Sequence, residues 1–286
     1  MVGSFFTFWM MTMAVFSAPV EQQMKFLYSE DESQIAFDGF KTIHHDTFSV
    51  LDLYLDTKER SLYKAGYSLR LRRAIKAGQP VYLLQFKSEM VEESGVRLEY
   101  DAPGIENFEN GGEIIRQVLT KLSEKSEPCS ASLSRIESVI NSERWSVLPP
   151  LQMAEAKGAR QELRVLSVGY SQRERYHIGY VKGEETGVLS YLPENSKAIP
   201  NANGFVWLFE LSKDRSEFYL TRNNCEQVIV REIEIENKFR PRKWGDLMLT
   251  HFVGKSVRPK GWTPHLASKY AQVIAKEKHD GSHRKF

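Results

Sequence analysis

Charged and apolar side chains alternate through much of this chain. In residues 67–73 (YSLRLRR), Arg70 and Arg72 share one parity and Leu69 and Leu71 the other, which predicts a strand with one cationic face. Residues 21–27 (EQQMKFL) set Glu21, Gln23 and Lys25 against Gln22, Met24 and Phe26. Residues 81–87 put Gln85 and Lys87 together, and residues 96–101 do the same for Arg97, Glu99 and Asp101. Residues 47–55 supply apolar and aromatic side chains suited to a further strand, and Lys64-Ala65-Gly66 turns the chain into the Arg70 strand.

The period changes between residues 110 and 148. Ile114, Ile115, Val118, Leu119 and Leu122 fall at helical spacing, then Leu133, Ile136 and Ile140 in a second helix, and Pro149-Pro150 is expected to end the helical section. Alternation then returns: Arg160, Glu162 and Arg164, then Arg173 and Arg175, then Glu210, Ser212 and Asp214. Glu232, Glu234 and Glu236 oppose Ile233 and Ile235. The C-terminal part reads as helical, with a stripe of Trp244, Leu247, Met248, His251 and Phe252. Thr263 and Pro264 form a start signal for a helix carrying Leu266, Tyr270, Val273 and Ile274.

Several charged strand faces backed by apolar ones admit two readings. They are solvated faces of ordinary half-buried sheets, or they line the polar lumen of a closed antiparallel barrel with helices packed outside. Composition does not separate the two. With 39 basic and 37 acidic residues the net charge is only +2, too weak to argue for nucleic acid or an anionic membrane as partner. A chain of 286 residues without a low-complexity linker or a solenoid repeat points to a single domain.

Residues 1–20 carry no charged side chain. The apolar run at residues 5–16, followed by Ser17 and Ala18, reads as a signal peptide over residues 1–18, hence a secreted or periplasmic protein with no membrane span after processing. No basic residue precedes the run and Pro19 opposes cleavage directly before it, so an uncleaved anchor or a buried N-terminal segment is the alternative, with a cytoplasmic location if the segment is no signal. Cys129 and Cys225 are the only cysteines; they allow one disulfide at most and no four-cysteine zinc site.

The run at residues 54–73, YLDTKERSLYKAGYSLRLRR, resembles the signature of the CYTH family, or triphosphate tunnel metalloenzymes, with its Tyr-x-Asp-Thr turn and Leu-Arg-Leu-Arg strand. Glu21-x-Gln23-x-Lys25 is similar to the family's opening Glu-x-Glu-x-Lys motif. Lys87, Arg97-x-Glu99-x-Asp101, Arg173-x-Arg175, Glu232-x-Glu234-x-Glu236 and Ser268-Lys269-Tyr270 follow in family order. The resemblance implies an α+β fold, a closed tunnel of about eight antiparallel strands over residues 19–278, with a polar tail at 279–286. It implies a metal-dependent hydrolase of inorganic tripolyphosphate or a small organic triphosphate.

By the same resemblance Arg70, Arg72, Lys87, Arg97, Arg173, Arg175 and Lys269 bind the triphosphate. Glu21, Gln23, Glu232, Glu234 and Glu236 hold Mg²⁺ or Mn²⁺, and Lys25 and Glu234 are the catalytic candidates. Cations of this kind spread the charge that develops in phosphoryl transfer. Gln23 departs from the motif, since a carboxamide offers an oxygen without a negative charge, and metal affinity should fall. A polyphosphate-binding protein without turnover, or another family activity such as adenylate cyclase, is the alternative.

Other residues are assigned ordinary roles. His44 and His45 point to opposite faces of a strand and share no metal; Trp207 and Phe209 belong to the core; Glu109 and Glu113 mark a solvated helix start.

Overall fold

A computed structural model describes residues 20–29, 41–88, 96–124, 132–159, 161–181, 205–221, 226–238, 249 and 262–282. The signal segment expected at 1–18, both cysteines and the Trp244 stripe lie outside the described residues. Strands β1 (Val20–Leu27), β2 (Lys41–Thr57), β3 (Tyr67–Lys76), β4 (Gln79–Ser88) and β5 (Val96–Pro103) make up the first half. A short helix α1 (Ser61–Lys64) lies between β2 and β3. Helices α2 (Gly112–Ser123), α3 (Ser132–Ile140) and α4 (Pro149–Ala156) follow. Strands β6 (Leu163–Val181), β7 (Phe205–Leu220), β8 (Glu226–Asn237) and β9 (Thr263–His265) precede a last helix, α5 (Lys269–Ser282).

The strands form one antiparallel sheet in the order β5-β4-β3-β2-β6-β7-β8-β1-β9. The α+β, antiparallel character is as the sequence predicts; full closure over about eight strands is not. Among the described residues the sheet has nine strands, and its ends meet where Val20, Glu21 and Gln22 pair Leu98, Arg97 and Val96. Beyond that seam the edge of β1 is taken, because Lys25, Phe26 and Leu27 pair His265, Pro264 and Thr263 of β9. Curvature is nonetheless strong: Arg97 Nη2 on β5 lies 3.1 Å from Glu234 Oε1 on β8.

Alternation decides which residues face where. On the outer side, Leu53, Leu55, Leu69, Leu71, Leu84 and Phe86 pack against Ile115, Val118, Leu119, Ile136 and Trp145 of the helical layer. Burying each such aliphatic side chain contributes on the order of 2 kcal/mol, which is why the amphipathic stripes of α2 and α3 seat where the periodicity predicts. On the inner side the same strands switch from apolar to charged along their length. Tyr54, Phe218, Val228 and Val230 pack on Tyr270, Val273 and Ile274 of α5, filling one end of the curved sheet with an apolar plug. Gly169 pairs both Asp52 and Phe218, and a Cβ there would lie 2.3 Å from the Phe218 ring, so glycine makes the room this ring occupies.

Three local readings are corrected. Pro149-Pro150 opens α4 rather than ending a helical section, since a proline at the first helical position forfeits no hydrogen bond. Thr263 and Pro264 lie in the edge strand β9, and the helix begins later at Lys269, where the Ser268 hydroxyl accepts from the Ala271 amide at 3.1 Å. The separate alternating runs around Arg164 and Arg173 lie on one continuous 19-residue strand.

Candidate functional site: a charged cup

Above the apolar plug the inward side chains become ionic. Asp52 faces Arg72 across β2 and β3, Asp214 faces Arg173 across β7 and β6, and Asp46 faces Arg175 across β2 and β6. Each pair is two-pronged. Arg72 donates to Asp52 at 2.7 and 2.7 Å, Arg173 to Asp214 at 2.7 and 2.6 Å, and Arg175 to Asp46 at 3.0 and 2.6 Å. The planar guanidinium fork matches a carboxylate, so the register pairing fixes each arginine in one orientation.

The other expected cations join them. Arg70 Nε donates to Gln85 Oε1 at 2.8 Å, and its Nη1 lies 3.5 Å from Asp52. Lys87 Nζ is 2.7 Å from Glu99, its register partner, and Arg97 reaches Glu234. Lys269, at the start of α5, is 94% buried, bonds Asp214 and lies 3.6 Å from Glu232. Arg70, Arg72, Lys87, Arg173 and Arg175 line one cavity of about 210 Å³. The seven cations expected to grip phosphate therefore gather in or directly beside a single cup.

Ionic partners set the protonation of these groups. Burial alone would raise the Asp214 carboxyl, but Arg173 and Lys269 outweigh it and hold it at about 2. Burial likewise opposes ionisation of Glu232, which Lys25, Lys269 and His265 bring down to about 2. Asp52 is lowered by Arg72 and Arg70 against the same burial penalty, and Lys269, though desolvated, is raised by Asp214 and Glu232. The cup is a network of charged groups that neutralise one another.

Metal donors are present in kind. Glu232, Glu234 and Glu236 alternate onto the inner side of β8 and pair Leu27, Lys25 and Gln23 on β1. Carboxylate and carboxamide oxygens suit a hard cation such as Mg²⁺ or Mn²⁺. Each carboxylate is nevertheless engaged: Glu232 with Lys25 at 3.7 Å and His265 at 3.2 Å, Glu234 with Arg97 and with Arg173 at 3.9 Å, Glu236 with Lys238. Among the described residues no group of three or more His, Cys, Asp or Glu gathers to hold a metal. The backbone of Glu21 lies in β1, but its side chain falls outside the described residues. Lys25, the other catalytic candidate, is 96% buried beside Glu232 at the deep end.

Sequence reasoning missed the counter-charges. Asp46 and Asp52 fall on one parity with Phe48 and Val50, a signal that was legible, while Gln85 holds Arg70, Glu99 and Asp101 in a way that alternation alone does not specify. The Tyr-x-Asp-Thr part of the signature turns out to be structural. Asp56 accepts from the amides of Thr57, Leu62 and Tyr63 at 2.7, 2.9 and 3.0 Å and from the Tyr270 hydroxyl at 3.1 Å, tying α1 and α5 to the sheet. At the far end of the cup, the His44 and His177 rings lie 5.0 Å apart and the tilted Trp207 ring 4.3 Å from His177, while His45 stacks on Tyr176 on the other face.

The sequence profile of the CYTH domain matches residues 21–253. The chain belongs to the CYTH family. Among solved structures it is similar to PH1819 from Pyrococcus horikoshii, at 13% identity over 90% of this chain and 99% of that one, TM-score 0.46. It is similar to HpAC1 from Hippeastrum, a protein described with a dominant triphosphatase activity, at 19% identity over 90% and 95%, TM-score 0.47. A Vibrio parahaemolyticus protein provisionally described as an adenylate cyclase matches at 11% identity over 89% and 97%, TM-score 0.39. No curated protein matches the sequence.

Proposed function

We propose that this CYTH protein is a divalent-metal-dependent hydrolase of a triphosphate compound, inorganic tripolyphosphate or a small organic triphosphate. One observation carries the reading: arginines and lysines from four strands and one helix converge on a single cup, each beside a carboxylate. A triphosphate entering the cup meets guanidinium N–H groups that the aspartates do not engage, so Arg72 and Arg173 keep the orientation their partners give them. Arg70, Arg72, Arg173 and Arg175 grip the chain of phosphates, while Lys87, Arg97 and Lys269 add charge around it. Glu234 and Glu236, with Gln23 and Glu21 on β1, would hold Mg²⁺ or Mn²⁺. The metal's contribution when bound is to neutralise phosphate oxygens as charge develops on them. Lys25 keeps Glu232 ionised at the deep end and adds positive charge there.

Purified protein should release phosphate from tripolyphosphate with Mn²⁺ or Mg²⁺ and lose that activity in EDTA. Failure with every triphosphate and both metals sinks the proposal. Product analysis with ATP distinguishes phosphate release from cyclisation.

A second reading, a phosphorylated-ligand receptor without turnover, is favoured by Gln23 and by the ion-paired state of Glu232, Glu234 and Glu236. Export directed by residues 1–18, itself a proposal, would also separate the cup from intracellular triphosphates. Calorimetric binding of tripolyphosphate with no phosphate release identifies this case, and a Gln23→Glu variant that gains turnover strengthens it.

A further inference from the structure

The outward parity of the same strands builds a second polar concavity. Ser49 on β2, Gln172 on β6, Arg215 on β7 and Arg231 on β8 are successive cross-strand partners, a single row across four neighbouring strands. Arg215 stands directly opposite Arg231, and like charges in that position destabilise a sheet. Lys213 stands two residues along β7 on the same face, its ammonium 5.3 Å from the centre of the Tyr28 ring. From the β3 side comes Arg73, whose buried Nε has no hydrogen-bond partner. These residues line a cavity of about 510 Å³, more than twice the volume of the cup and within the usual range of small-molecule sites.

Basic side chains outnumber acidic ones in the lining of this cavity. Among its lining side chains Glu174 and Glu217 are the acids and Arg73, Lys213, Arg215 and Arg231 the bases, with Glu217 accepting from Arg215 Nη1 at 2.7 Å. A solvated exterior face has no need of a concave shape, and it separates its like charges instead of registering them. A doubly charged anionic group seated between Arg215, Arg231 and Lys213 would convert the repulsion into attraction, and the rest of the cavity, as far as Arg73, leaves room for the body of the molecule.

We propose that this outer cleft is an anion-binding site, separate from the cup, that takes a small phosphorylated molecule through Lys213, Arg215 and Arg231. The side chains are partly exposed, so their replacement by glutamine leaves the core intact. The test is equilibrium dialysis of inorganic pyrophosphate in EDTA against the full chain, the Arg215→Gln/Arg231→Gln double variant and the cup variant Arg173→Ala. The double variant should bind one equivalent fewer than the parent, or bind its outer equivalent at least tenfold more weakly, while Arg173→Ala retains that equivalent. In the absence of ligand the double variant should melt no lower than the parent, since a like-charge pair has been removed. Equal stoichiometry and affinity in parent and double variant overturn the proposal, as does a parent that binds no pyrophosphate at all. A cup that fails to bind shows instead as a parent with one equivalent that the double variant loses, which leaves the outer site standing.

Discussion

Arg173 and Asp214 face each other across β6 and β7, and the guanidinium Nε and Nη2 lie 2.7 and 2.6 Å from the two carboxylate oxygens. Asp214 is fully buried and also holds Lys269, so one carboxylate fixes the two cations that join the β-sheet to α5. Removing its charge leaves two buried cations short of a partner. Asp214→Asn should lower unfolding free energy by on the order of 3 kcal/mol, read as a shift in urea midpoint. An unchanged midpoint would mean that the pair is more open to water than its burial indicates.

Acid should unfold the cup in a defined window. Asp214 and Glu232 are both held at about 2, below their ordinary 3.8 and 4.5, so each binds protons more readily in the unfolded chain. The stability they contribute is fully present above about pH 4.5 and is lost as pH falls through that value toward 2. Urea midpoints at neutral pH, at pH 4.5 and near pH 2.5 should therefore be similar for the first two and clearly lower for the third. A flat series contradicts the ionic assignment.

Gly169→Ala tests the packing beneath the cup. The added methyl would meet the Phe218 ring, and overpacking of this kind typically costs about 1–3 kcal/mol. The melting temperature should drop without any change in the residues that line the cup. No drop would show that Phe218 has another place to go.

The two charged sets should separate in binding and turnover. Arg72→Ala removes a phosphate contact, so tripolyphosphate affinity should fall roughly tenfold with or without metal. Glu234→Gln should eliminate metal-stimulated phosphate release and leave most metal-free binding in place, since its proposed role runs through the cation. The cup is misassigned if both variants bind and turn over like the parent.

Much of this arrangement was legible because strand parity is a local property. Arg70 and Arg72, Arg173 and Arg175, and the Glu232 series point to one side of the sheet, as alternation requires, and the helical stripes of α2 and α3 seat on the opposite side. What was not legible depends on partners distant in sequence. The pairing of Arg173 with Asp214 spans 41 residues, and nothing local marks that aspartate as its counter-ion. The division of the β1 edge between β5 and β9, which leaves three closing residue pairs among the described residues, is likewise a tertiary outcome. Pro149 and Pro264 misled for a different reason: a proline is compatible with a helix start, a helix stop and an edge strand, and only the neighbours decide among them.

The most direct test of the central claim is the rate of phosphate release from tripolyphosphate with Mn²⁺ by the parent and by Arg173→Ala, measured side by side on protein shown to be folded by circular dichroism. The account predicts release by the parent and a loss of at least tenfold in kcat/KM in the variant, because the lost fork held the substrate in the cup. Equal rates in the two proteins would contradict it.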